Sequence, residues 1–299
     1  MSDRPASASR LAGPAWLLVT SVGWGLNWPA IKFLLQEWPA LFARGVSGVS
    51  ASVLVAVVAV LAGHSLRVPR AAHGRLAAGA FFNVFAWMGF GTLAMQWLPV
   101  GQAALLVYTM PAWTTLLAWW ILGDRPSPRG VAGLLLCLVG VCLLLGVRPA
   151  APASAHLLGV AFALGAAVLF ALGTLTVAPP ALPPLVVLAW QLALGSVPMI
   201  VVSLLSEAPH GMALSDRAFA VLVYMTVVPM GLCYFAWFAA LRLVRPQVAT
   251  ITTLLTPVVG ILSAAALLGE PLGIREIAAM VLVLAGVALA MRASPGGAR

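Results

Sequence analysis

Charge is what this sequence has least of. Of its 299 residues, 8% are charged and 63% are hydrophobic, and the mean hydropathy is +1.07. A soluble domain of this size carries far more charge, so the composition points to lipid as the solvent. Cysteine is scarce too. Cys137, Cys142 and Cys233 lie inside apolar runs without disulfide or metal-ligand spacing, and read as small packing residues. No acid falls in the middle of an apolar run: Asp3, Glu37, Asp124, Glu207, Asp216, Glu270 and Glu276 all sit in tails, connections or run ends. His64, His73, His156 and His210 are likewise in connections or at run edges. A carboxylate or histidine proton relay across a bilayer needs ionisable groups at depth, and the chain offers none. Nucleotide-binding motifs and metal-ligand clusters are missing as well, which argues against ATP-driven pumping and hydrolytic catalysis and leaves no cofactor to expect. Lysine is nearly absent. The net charge of +9 comes from arginines spread over short connections rather than gathered in a patch, so the expected partner is lipid and not nucleic acid.

What the chain does have, it has twice. At an offset of 146 positions Ala103 meets Ala249, Pro111 meets Pro257, and Leu122-Gly123 meets Leu268-Gly269. At the same offset Asp124 meets Glu270, Arg129 meets Arg275, and Gly140-Val141 meets Gly286-Val287. Compositional bias matches Leu with Leu, but not Pro, an acid, Arg and Gly in one register. The chain is a tandem duplication, with a first unit over 1–149 and a second over 150–299.

About 20 apolar residues cross a bilayer as a helix. On that ruler the spacing predicts ten spans, at roughly 12–33, 40–62, 76–98, 101–123, 129–147, 156–177, 183–205, 217–240, 246–268 and 274–292. The fold class is therefore all-α and integral to the membrane. The first run follows Arg4 and Arg10 as a signal peptide would, yet with many spans behind it and no clear cleavage site it reads as a first membrane helix. Ser127-Pro128 is a good helix start for the fifth span. Placing the N-terminus in the cytoplasm puts eleven of the sixteen basic residues on that side, which predicts cytoplasmic termini. Five spans per unit is odd, so the two units enter the membrane in opposite senses, as inverted-topology repeats.

Polar and aromatic residues occur at depth. Span 1 holds Trp24, Gly25, Asn27 and Pro29; here Asn27 needs a partner, and Gly25 with Pro29 is expected to interrupt the helix. Span 3 has Asn83 and Trp87 on one face, span 4 has Tyr108, Pro111 and Trp113, span 7 has Trp190-Gln191, and span 8 has Tyr224, Pro229, Tyr234 and Trp237. Trp38, Trp97, Trp119 and Trp120 lie near span ends, as an interfacial belt would. The deeper aromatics and amides together suit an apolar-walled pocket for a bulky, net-neutral solute better than for a bare ion. Pro111, Pro229 and Pro257, with Gly25 and Pro29, are the expected hinges, because each proline removes a backbone hydrogen bond and lets half-helices move separately. Asp124 and Glu270 follow helix C-termini and are expected to pair with Arg125, Arg129 or Arg275. Spans 5 and 10 carry small-residue seams instead of polar groups. Seams of that kind pack against another helix or a second protomer, which makes a homodimer through these spans an open expectation.

These residues resemble the drug/metabolite transporter superfamily, in its ten-helix, two-repeat branch often called the EamA family. The resemblance rests on Trp24-Gly25, Asn27, Lys32 and Arg44, on Ala103 to Pro111 with Leu122-Gly123-Asp124, and on their second copy ending in Glu270, closed by Gly140 and Gly286. Asp124 departs from the usual Glu. Such a resemblance implies an exporter of amino acids or other small metabolites in a bacterial inner membrane, and the abundance of deep aromatics looks like the exporters of aromatic and other neutral amino acids. It also implies that spans 1–4 and 6–9 surround the cavity, with Trp24, Asn27, Asn83, Trp87, Tyr108, Trp113, Phe170, Trp190, Gln191, Tyr224, Tyr234 and Trp237 as its wall. Phe170 enters as the repeat position of Trp24. The rivals are a multidrug or sugar-nucleotide carrier, which for anionic cargo needs basic residues in the cavity, and a membrane enzyme acting on lipids, for which the connections are too short and too poor in His, Asp, Glu and Ser.

Overall fold

The computed structural model describes residues 6–145, 153–207, 213–244 and 252–293. Among these residues there is no strand. The helical units are α1 (Ala6–Leu34), α2 (Ala40–Leu61), α3 (Arg70–Ala94), α4 (Val100–Leu122), α5 (Pro128–Leu145), α6 (Ala153–Thr176), α7 (Pro184–Ser206), α8 (Asp216–Leu241), α9 (Leu255–Leu268) and α10 (Ile274–Ala293). Six of them, α2, α3, α4, α6, α7 and α8, are long and apolar enough to cross a membrane, and α5 and α9 include shorter apolar runs. The chain is a multi-pass membrane protein. Residues 245–251, with which span 9 was expected to start, lie outside the described residues.

Local signals explain the helix ends. The Ser127 hydroxyl accepts from the Gly130 N–H at 3.3 Å as α5 opens at Pro128, and the Ser215 hydroxyl accepts from Ala218 N–H at 3.2 Å as α8 opens. The repeated Leu-Gly pair is a helix stop. Gly123 closes α4 at φ 75° and Gly269 closes α9 at φ 68°, a left-handed conformation that glycine adopts without strain. The repeated prolines mark a matched break. In α4 the helix stops at Val107, turns through Tyr108 and Thr109, and restarts at Met110 with Pro111 in the first turn; α9 opens after Leu254 with Pro257 in its first turn. There the missing proline N–H costs nothing.

Packing follows the duplication. α5 packs on α10 and α2 on α7, each on its own counterpart from the other repeat. α1 packs on α8 and α9, while its counterpart α6 packs on α3 and α4. This exchange is a pseudo-two-fold, as inverted repeats require. It extends to single atoms on the α5–α10 seam. A Cβ on Gly140 would meet the Ala279 carbonyl at 3.1 Å and Val283 Cγ2 at 2.7 Å, and one on Gly286 would meet the Gly133 carbonyl at 2.6 Å and Cys137 N at 2.8 Å. Those partners are themselves equivalent at the 146-residue offset, so the small-residue seams face each other within one chain.

Two expectations need correction. α1 runs unbroken through Gly25 and Pro29, because Gly25 serves close packing: a Cβ there would meet the Thr256 carbonyl at 2.9 Å and Val259 at 2.6 Å on α9. Glu270, expected to pair with an arginine, has its carboxylate accepting from the Val100 N–H, 2.9 Å away, at the start of α4. Glu207 likewise accepts from the Leu41 N–H at 3.1 Å at the start of α2, and Glu37 from the Ser215 N–H at 2.8 Å at the start of α8. Each acid caps the exposed donors of a helix other than its own, where the helix dipole favours negative charge.

Gly286→Ala therefore forces α5 and α10 apart, and should lower stability by about 1–3 kcal/mol. Gly74→Ala on the first turns of α3, where a Cβ meets nothing within 4 Å, should raise it by about 0.5–1 kcal/mol. Thermal unfolding of the purified protein in detergent measures both.

Candidate functional site

Between the repeats lies a cavity of about 830 Å³, lined from α1, α2, α3, α4, α6, α7 and α8. Its ends differ. At one end the lining residues Arg75, Pro179 and Pro184, from the start of α3 and the α6–α7 connection, are exposed and form a mouth. At the other end Ile31, Arg44, Thr92 and Met95 are buried. Beyond them Leu34, Trp38, Phe42, Leu98 and Leu106 pack into an apolar plug.

The wall is aromatic in two clusters. Trp24 on α1 packs on Tyr234 and Trp237 of α8, with ring centroids 5.4 and 5.8 Å apart. Its repeat equivalent Phe170 on α6 packs on Trp87 of α3 at 4.6 Å, and Trp87 touches Tyr108 at 6.0 Å. The helix behind each cluster changes register. α3 is π-helical over Phe81–Phe90 and α8 over Val228–Leu232, segments that correspond in the two repeats. π turns rotate the side chains that follow and occur often at functional sites. They aim Asn83, Trp87 and Met88 on α3, and Pro229 and Met230 on α8, at the cavity. At the second π turn the Trp24 indole N–H donates to the Pro229 carbonyl at 2.9 Å.

Polar groups are few. Asn83 Nδ2 donates to Gln191 Oε1 at 3.3 Å across the α3–α7 contact. Asn27 Oδ1 and Arg44 Nε are buried without a hydrogen-bond partner. Among the described residues no carboxylate lines the cavity, and the charged ones that do are Arg44 at its closed end and Arg75 at the mouth. Lys32 lies off it, donating to the carbonyls of Met95 and Leu98 at the end of α3. Among the described residues no cluster of His, Cys, Asp and Glu could hold a metal ion.

Of the twelve wall residues expected from sequence, Trp24, Asn27, Asn83, Trp87, Tyr108, Phe170, Gln191, Tyr234 and Trp237 line the cavity. Trp113, Trp190 and Tyr224 do not, and each instead fastens structure elsewhere. Trp113 donates to Thr109 Oγ1 at 3.1 Å beside the α4 break, Trp190 to the Leu66 carbonyl at 3.0 Å in the α2–α3 connection, and Tyr224 to the Gly23 carbonyl at 3.2 Å on α1. Trp28, Phe82, Met88 and Arg44 line the cavity beyond that set. Trp28 was within reach of the sequence, because Trp24, Asn27, Trp28 and Ile31 form one helical stripe. A guanidinium stands at each end of the cavity, Arg44 at the closed end and Arg75 at the mouth.

Comparison with known proteins places this geometry. The model of the EamA-like transporter family matches the chain twice, over residues 11–146 and 154–292. A probable amino-acid metabolite efflux pump of Salmonella typhimurium is 30% identical over 294 residues, covering 93% of this chain and 94% of the relative. A probable terminal-alkyne amino-acid exporter of Streptantibioticus cattleyicolor is 28% identical, covering 97% of each. One solved crystal structure superposes with a TM-score of 0.60 over 95% of this chain and 96% of its own, at 20% identity, a likeness of fold alone.

Trp24→Phe keeps the ring in its aromatic cluster and removes only the donor to Pro229. It is expected to cost about 1 kcal/mol of stability, read from thermal unfolding.

Proposed function

The chain belongs to the EamA-like transporter family, and from that membership we propose that it exports neutral amino acids, above all aromatic and other bulky ones, across the bacterial inner membrane. The observation that carries this reading is the aromatic-walled cavity without a carboxylate. Its size falls among ligand pockets, roughly 300–1,000 Å³. Stacked rings suit a bulky side chain, and the few polar groups suit a zwitterionic head. The amino-acid exporters named among the relatives support the same class. Arg44 and Arg75 favour a second reading, a carrier of anionic metabolites such as sugar nucleotides, since both present positive charge to the solute. Among the described residues no acid or histidine lines the cavity, which favours transport down the solute gradient or by exchange.

Alternating access follows from the pseudo-two-fold. The mouth uses the start of α3 and the α6–α7 connection; the equivalent pieces of the other repeat are the start of α8 and the α1–α2 connection. These are closed on each other, where Glu37 accepts from Ser215 through its N–H at 2.8 Å and its hydroxyl at 2.5 Å. With cytoplasmic termini, as the arginine bias favours, the cavity faces the cytoplasm, and export exchanges the closed pair for the open one. The Ser215 hydroxyl, then its N–H, hold the Glu37 carboxyl below the usual carboxylate range. A lowered value stabilises the closed pair above the ordinary Glu pKa of about 4.3 and is lost only as pH falls through the lower folded value. The gate should thus be insensitive to pH between about 5 and 8.

Counterflow in proteoliposomes with labelled tryptophan, phenylalanine, threonine and glutamate tests the substrate class. Uptake of the neutral solutes, cut at least about tenfold by Trp87→Ala and Asn27→Ala, is the expected result; uptake of glutamate or a nucleotide sugar alone favours the anionic reading. For the gate, Thr92→Cys at the closed end, in a background without Cys137, Cys142 and Cys233, should resist a periplasmic maleimide at pH 5 and at pH 8. Adding Glu37→Ala should speed its labelling.

A further inference from the structure

Arg44 is 93% buried at the closed end of the cavity, and its Nε has no hydrogen-bond partner. A buried guanidinium without a partner is costly, and proteins seldom keep one. Among the described residues no carboxylate lines the cavity to pair with it. Asn27, one helix away, has its Oδ1 buried and without a donor. The cavity lining thus includes a planar cationic donor on α2 and a neutral acceptor on α1, neither with a hydrogen-bond partner.

We propose that Arg44 binds the carboxylate of the transported solute, with Asn27 Oδ1 accepting from its ammonium group, so that the solute's side chain points into the aromatic clusters. The proposal rests on the amino-acid reading above and fixes the solute's orientation: head toward the plug, side chain toward Trp24 and Trp87. Guanidinium and carboxylate form two parallel hydrogen bonds, a geometry that lysine cannot reproduce and an amide meets poorly. It follows that the site selects for a free carboxylate. A decarboxylated amine or an amide leaves Arg44 buried and unpaired, and meets its positive charge besides. Arg75, exposed at the mouth, draws the same carboxylate in from solvent.

Isothermal titration of the purified full-length protein in detergent tests this with tryptophan, tryptophanamide and indole-3-propionate. The wild type should bind tryptophan more tightly than tryptophanamide by roughly 10- to 150-fold. Arg44→Gln should abolish that preference by weakening tryptophan alone, and Arg44→Lys should restore only part of it. Asn27→Leu should weaken tryptophan and leave indole-3-propionate, which lacks the ammonium, unchanged. Equal wild-type binding of acid and amide, or an undiminished preference in Arg44→Gln, overturns the role of Arg44 while leaving amino-acid export in place. Binding of indole-3-propionate with no binding of tryptophan does the reverse: the carboxylate site stands and the amino-acid reading falls. Should Arg44→Gln fail to purify as a monodisperse species, the wild type and Arg44→Lys decide the matter by the same acid-to-amide ratio.

Discussion

A unit of five membrane crossings, copied in tandem, can enter the bilayer a second time only upside down. Every larger feature of this molecule depends on that constraint. Inversion sets α5 against α10 and α2 against α7, counterpart on counterpart, and exchanges the neighbours of α1 with those of α6. On the α5–α10 seam it is visible at single positions, where Gly140 approaches Val283 and Gly286 approaches Cys137. A cavity between two such units necessarily has ends built from equivalent pieces. In this structure one end is open and the other shut, so the two repeats present equivalent pieces in different arrangements.

Helix starts leave backbone donors without partners inside their own helix, and here carboxylates from other helices meet them. Glu37, Glu207 and Glu270 cap the starts of α8, α2 and α4, and Lys32 meets carbonyls at the end of α3. All lie at the closed end, because each helix runs opposite to the one before it. Closure there is therefore a polar fastening laid over the apolar plug of Leu34, Trp38 and Phe42. Polar fastening at a boundary is cheap to break when water enters, which a gate requires and a permanent seal does not.

How much of this was legible beforehand varied with the physical origin of each feature. The number of spans, the duplication, the matched breaks at Pro111 and Pro257 and the Leu-Gly helix stops were legible, because hydropathy, proline and left-handed glycine act locally. Nine of the twelve wall residues followed from depth and chemistry. Trp113, Trp190 and Tyr224 were placed wrongly because depth along a helix does not reveal its rotation, and the neighbours Trp190 and Gln191 cannot both face one side. Gly25 and Pro29 read as an interruption, yet α9 packs so closely on Gly25 that the helix continues. The capping by Glu270 was hidden for another reason: donor and acceptor are 170 residues apart. The π segments of α3 and α8 carry no composition signal of their own, and it is they that turn Asn83, Trp87 and Met230 inward.

Local rules of protein construction fail in this molecule at a few places, and those places coincide. Regular i→i−4 helix gives way to π turns at Phe81–Phe90 and Val228–Leu232; buried polar atoms go unpaired at Asn27 and Arg44; aromatic rings that could face lipid gather around empty space. Ser196 and Thr256 also lack hydroxyl partners, and Trp38 in the plug lacks one for its indole N–H, but an unpaired group of this kind, such as Ser196 beside Gly48, is a small cost and neutral. A guanidinium is neither. Sequences tolerate such violations where function repays them, and elsewhere they are removed because consistency at every level is what makes a single fold. Three unrelated violations thus coincide on one cavity, between repeats that are otherwise regular, which is the pattern a binding site leaves in a fold.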